Sequence, residues 1–156
     1  MINPFNRRGL IAGLGLLGGF GLLSLSARGA EANSASAKLL LPVGTWAVTI
    51  TLDDGTTERG LFGFSVDGML IQTNTGSRFC GVGSWRPQPP NGFVYGFRSQ
   101  AFDDSGFIFE LRIKHEATFS SPSAFTSTGT GTSYAPDGSV LFVSPSRVTG
   151  QRYAID

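Results

Sequence analysis

From Asn33 to the end of the chain no window sustains a helical period, and turn signals recur at spacings that leave room only for strands. The turns are Asp53-Asp54-Gly55, Asp67-Gly68, Asn91-Gly92, Asp103-Asp104-Ser105-Gly106 and Pro136-Asp137-Gly138. Between them lie runs rich in β-formers: Thr45–Leu52, Thr57–Val66, Met69–Asn74, Val82–Arg86, Phe93–Phe102, Phe107–Phe119, Phe125–Tyr134 and Ser139–Val143. Ser146–Ile155 reads either as a ninth strand or as the eighth continued past Pro145. Every link is short enough for an antiparallel hairpin. The expectation is therefore an all-β, antiparallel up-and-down barrel of about eight strands, over residues 41–156.

Alternation assigns the faces. Trp46, Val48, Ile50 and Leu52 face one way in the first strand, and Thr45, Ala47, Thr49 and Thr51 the other. Phe93, Tyr95 and Phe97 share a face in the fifth. In the sixth, Phe107, Phe109, Leu111, Ile113, His115, Ala117 and Phe119 oppose Glu110, Arg112, Lys114 and Glu116. One apolar and one wet face per strand is what a closed barrel or a sandwich requires. In the second strand Leu61-Phe62 breaks the alternation and leaves its inner face open. The seventh strand sets threonines against Phe125, Ser127, Gly129, Gly131 and Ser133. These small residues permit coiling and close packing of a neighbour, or they leave volume for a ligand.

The apolar face of the sixth strand carries His115, and a buried imidazole needs a partner. A three-residue loop 104–106 would pair residue 103 with 107, setting Tyr95 opposite His115 and Phe97 opposite Ile113. A four-residue loop would mismatch the faces, and a five-residue loop would pair Phe93 with His115. A Tyr95–His115 pair inside a barrel has three uses: satisfying itself in a packed core, orienting a polar group of a ligand, or exchanging protons as an acid–base pair. No inward carboxylate is evident to complete a relay.

Composition removes several classes. Lys+Arg 12 against Asp+Glu 11, formal net charge +1, gives no basic excess for nucleic acid. One Cys excludes an intrachain disulfide framework, and one His the common histidine metal sites, so no metal or cofactor is expected. The nucleophile elbow, P-loop, zinc-protease helix and dinucleotide fingerprint are missing. Asp103-Asp104-Ser105-Gly106 has the wrong spacing for a calcium loop and reads as a turn. Cys80 reads as a small buried apolar residue, Arg78 as a solvated loop residue that could stand at a barrel mouth, and Trp85–Pro90 as a stiff surface link.

The N-terminus reads as an address. A basic segment ending in Arg7-Arg8 precedes an uncharged Leu/Gly-rich run, Leu10–Leu25, too short to span a bilayer comfortably. Ala30-Glu31-Ala32 fits the small-x-small cleavage pattern, so residues 1–32 are expected to be a cleaved signal peptide and 33–40 a disordered lead-in. Asn6-Arg7-Arg8-Gly9-Leu10-Ile11 resembles the twin-arginine signal, departing from it at Asn6 and Ala12. An ordinary secretory signal and a retained anchor are the alternatives. The protein is thus expected to meet export machinery through its N-terminus and to end outside the cytoplasm or in the envelope, as a monomer.

Gly44-Thr45-Trp46, opening the first strand after this lead-in, resembles the Gly-x-Trp signature of the lipocalins and wider calycins. The resemblance implies that Trp46 packs at the closed end of the barrel with an arginine of the last strand over it, Arg147 or Arg152. The chain departs from the family in lacking its usual cysteine pair and its mid-sequence motif. The leading expectation is an exported barrel holding a small, mostly apolar or amphipathic molecule against Phe93, Tyr95, Phe97, Phe109, Leu111 and His115. The alternatives are a small cofactor-free cyclase or isomerase using Tyr95 and His115, and a filled barrel with a structural or interaction role in the envelope.

Overall fold

The computed structural model describes residues 39–154; the expected signal peptide, its expected cleavage site and most of the expected lead-in lie outside these residues. Eight strands follow in order: β1 (Gly44–Leu52), β2 (Thr57–Phe64), β3 (Met69–Asn74), β4 (Gly81–Gln88), β5 (Gly92–Asp103), β6 (Gly106–Ser121), β7 (Ala124–Tyr134) and β8 (Val140–Arg152). Each pairs antiparallel with the next, and β1 pairs with β8, so the sheet closes as an up-and-down barrel. Of the two readings of Ser146–Ile155, the eighth strand continued past Pro145 is the one formed, as the second half of β8. Pro145 does not interrupt it, because β1 ends opposite Ser146 and Pro145 has only Thr130 of β7 beside it. A proline without an amide proton is tolerated at such an edge position. Pro87 follows the same rule: the β3–β4 ladder ends at Ser84, so β4 runs on through the expected surface link with β5 as its one neighbour.

Strand lengths divide the barrel into two ends. At the closed end Trp46, Phe62, Phe64, Phe93, Tyr95, Phe119 and Phe125 are buried and contact one another edge-on or tilted at 4.9–6.5 Å between centroids. Quadrupoles favour these offset and T-shaped contacts over flat stacking. The β2 face left open by the sequence is settled: Phe62 and Phe64 point in, and Leu61 is 48% exposed outside.

Of the two candidate arginines, Arg152 lies over Trp46, its guanidinium carbon 4.4 Å from the ring centroid. It also donates to the carbonyl oxygens of Val43 (2.6 Å) and Leu41 (3.4 Å), tying the segment before β1 to the end of β8. The Trp46 indole donates to the Pro42 carbonyl at 2.6 Å. Gly44 makes this possible. A Cβ there would stand 2.7 Å from Arg152 Nη1, and its φ of 121° is one that L side chains rarely adopt. Arg147 is exposed on the outside, paired with Thr51 and Thr128. Cys80, expected inside, is exposed, because it ends the β3–β4 loop rather than beginning a strand.

Truncation separates the two arginines. Arg152→Ala loses a cation–π contact and hydrogen bonds to backbone carbonyls, and is expected to destabilise the barrel by about 1–2 kcal/mol in urea unfolding. Arg147→Ala is expected to cost less than about 0.5 kcal/mol.

Candidate functional site

The β5–β6 hairpin positions the central pair. Its loop is two residues, Asp104-Ser105, with Asp103 opposite Gly106 and Phe102 opposite Phe107. The three-residue loop expected there is therefore not formed. Ile108 is an extra residue, and Ala101 pairs with Phe109 beyond it. This β-bulge restores the expected register, setting Tyr95 opposite His115 and Phe97 opposite Ile113. The Tyr95 and His115 rings stack at 5.3 Å and 30°.

Their polar atoms do not bond each other directly. Tyr95 Oη and Ser127 Oγ are 2.8 Å apart, Ser127 Oγ and His115 Nδ1 3.0 Å, and His115 Nε2 and Ser146 Oγ 3.0 Å. The result is a buried chain Tyr95–Ser127–His115–Ser146 running across β5, β7, β6 and β8. Burial disfavours the imidazolium and pushes the His115 pKa down from 6.5 to about 4. Burial also pushes the Tyr95 phenol up, against a smaller opposing effect of the Ser127 hydrogen bond. Both groups are therefore neutral near pH 7.

Above this chain the barrel is hollow. A cavity of about 510 Å³ opens toward the end carrying the β1–β2, β3–β4, β5–β6 and β7–β8 connections. Ile50, Leu52, Phe97, Phe109, Leu111, Ile113 and Val148 form its apolar wall. Tyr95, His115 and Ser146 line it as well, and Phe79, Phe102 and Phe142, each 42–54% exposed, stand at its mouth. Five of the six residues expected on a ligand-facing wall thus line one cavity: Tyr95, Phe97, Phe109, Leu111 and His115. Phe93 does not. It is fully buried against Phe64, Phe119 and Phe125, because it enters β5 at the closed end, below the hollow part.

The small residues of β7 do two things: they let a neighbour pack closely and they leave open volume. A Cβ at Gly129 would lie 2.0 Å from the Lys114 carbonyl oxygen and 2.4 Å from His115 Cδ2, so this glycine lets β7 approach the imidazole. Gly131 lines the cavity, and a Cβ there would meet only the methyl ends of Ile113 and Leu111 within 3.4 Å.

Two lining groups, Gln72 and Glu58, escape sequence reading. Gln72 Oε1 and Ser133 Oγ are buried without a hydrogen-bond partner, on β3 and β7, which face each other across the barrel. Glu58 reaches the mouth, where its carboxylate accepts from Asn74 Nδ2, and Arg78 lines the same rim. The signal for Gln72 was present: it shares the alternating face of β3 with buried Leu70. Glu58 was hidden by the ambiguous face of β2.

No family model matches the chain, and no curated protein matches it. Among solved structures it is similar to a redesigned beta barrel, at 24% identity and a TM-score of 0.50, over 76% of this chain and 95% of that one. It is also similar to the structure of EF1p2_mFAP2b bound to DFHBI, at 20% identity and a TM-score of 0.50, over 75% of this chain and 96% of that one. These likenesses are of fold.

The neutral imidazole makes stability depend on pH. Unfolded, His115 takes up a proton near 6.5; folded, only near 4. Between these values the unfolded chain binds more protons and acid favours it. Stability from this group is complete above about pH 6.5 and falls by roughly 3 kcal/mol as pH drops to about 4. Urea unfolding at pH 7.5 and 4.5 is expected to show most of this loss, and His115→Gln to flatten it. The exposed carboxylates of Asp54, Asp67, Asp103 and Asp137, held below 3.8 by hydrogen bonds from neighbouring residues, act at lower pH than this window.

Proposed function

We propose that this protein is an exported, lipocalin-like barrel that carries a small, mostly apolar molecule in its open half. The observation that carries the reading is the cavity itself: about 510 Å³, apolar along its walls, polar at a few points and open at one end. Ligand sites are commonly clefts of roughly 300–1,000 Å³ with this make-up. The Gly44, Trp46 and Arg152 arrangement supports the calycin likeness, and the N-terminal segment supports export. EF1p2_mFAP2b, of similar fold, is bound to DFHBI, which agrees with a small-molecule partner. The titration directions favour binding over proton transfer. An imidazole with a pKa near 4 is a weak base at neutral pH, and a phenol pushed upward is a reluctant acid.

Native mass spectrometry on the barrel purified from its own culture tests the reading. The expected result is a reproducible excess over the denatured mass, with the molecule recoverable by extraction. Gly131→Leu, which places a side chain in the cavity where only flexible methyl groups must move, is expected to weaken binding at least about tenfold. A bare native mass, together with no uptake of an apolar fluorophore by the purified protein, would overturn the proposal.

A further inference from the structure

Hydrogen-bond accounting along the buried chain fixes which way its protons point. Three contacts join Tyr95, Ser127, His115 and Ser146. Neutral histidine supplies one N–H and one bare nitrogen. With the proton on Nδ1, His115 donates to Ser127. Either the Ser127 hydrogen or the Tyr95 hydrogen is then left without an acceptor inside the core, since Ser127 is the partner of both. Tyr95 and Ser127 are 1% and 3% exposed, so that hydrogen would be buried and unmated, at substantial cost. With the proton on Nε2 every contact is served: Tyr95 donates to Ser127, Ser127 to Nδ1, and Nε2 to Ser146 Oγ. The one hydrogen left over belongs to the Ser146 hydroxyl, and Ser146 lines the cavity. The relay thus holds Ser146 as an acceptor on its inner side and frees it as a donor on its outer side.

The charged lining residues complete the picture. Glu58 and Arg78 both stand at the mouth, and the walls below hold neutral groups. A charge carried deep into this cavity would lose its hydration without gaining a counter-ion.

We propose that the cavity selects neutral ligands bearing a carbonyl-type hydrogen-bond acceptor, and that this acceptor docks on the Ser146 hydroxyl. This selection rests on the ligand-binding reading above and adds the class of molecule bound.

Two measurements test it. The chain has a single histidine, so its imidazole nitrogens give one unambiguous set of ¹⁵N resonances. At neutral pH the proton is expected on Nε2 with Nδ1 bare; a proton on Nδ1 overturns the assignment. The second compares 6-propionyl-2-dimethylaminonaphthalene, which has a ketone acceptor and no donor, with its 6-propyl analogue, by fluorescence titration. Ser146→Ala is expected to weaken the ketone about fivefold while changing the propyl analogue less than about twofold, the worth of one neutral hydrogen bond. Ser146→Thr, which keeps the hydroxyl, is expected to restore the ketone. Equal changes for both probes in a Ser146→Ala protein that melts as the parent does would overturn the donor assignment and leave the carrier reading standing. Failure of the parent barrel to bind either probe would overturn both.

Discussion

A continuous cluster of aromatic rings fills the closed half of this barrel, and the rest of the interior is shaped by where that cluster stops. Trp46 anchors it at the bottom, Phe64 and Phe93 sit at its centre, and Tyr95 is its upper edge. Burying a ring of this size is worth about 2–3 kcal/mol by area alone, so concentrating rings at one end lets a small barrel fold around half a core. The other half need not be filled. There four inward positions of β7 and β8 fall to small residues, Gly131, Ser133, Ser144 and Ser146, and the volume that bulky residues would occupy stays open. The closure of β1 on β8 serves the same cluster. Arg152 lies over the Trp46 ring, and Gly44 leaves room for its guanidinium.

The strands were legible because both signals that mark them are local. A turn needs Gly, Asp or Asn at particular backbone angles, and alternation follows from the pleat. The Tyr95–His115 register was legible for a less direct reason. Matching apolar faces constrains the sum of paired residue numbers, whatever the loop does. The actual loop is shorter than expected, but the bulge at Ile108 compensates, since a one-residue slip would have turned His115 outward. The strand ends were harder. Pro87 and Pro145 look like stops in one dimension, and only the lengths of the neighbouring strands show that each lies past the end of a ladder.

What could not be read locally was which strands share a height in the barrel. Arg147 and Arg152 are equally good candidates along the chain. The pairing of Trp46 with Arg152 decides between them, and that pairing is set by closure of the whole sheet. Ser127 and Ser146 escaped for the same reason. Each is an ordinary serine in a Ser/Thr-rich strand, and only the β6–β7–β8 register brings both to the two nitrogens of one imidazole. Phe93 shows the converse. It shares a face with Tyr95 and Phe97, but face does not report depth, and two residues along the strand separate a cavity wall from the filled core.

The position of Tyr95 joins the two halves. Its ring packs edge-on against Phe62 and Phe64 and lies over His115, while its hydroxyl starts the polar chain that ends at Ser146. The aromatic cluster thereby fixes the orientation of an imidazole that would otherwise turn freely about its own bonds, and Gly129 closes the remaining space beside it. A polar group held this way loses little freedom when a ligand arrives, so more of its hydrogen-bond energy is available for discrimination. An isolated serine on the same wall would offer the same hydroxyl with its proton free to point elsewhere. The packed half of the barrel therefore does more than stabilise the fold: it determines the direction in which the open half presents its donor.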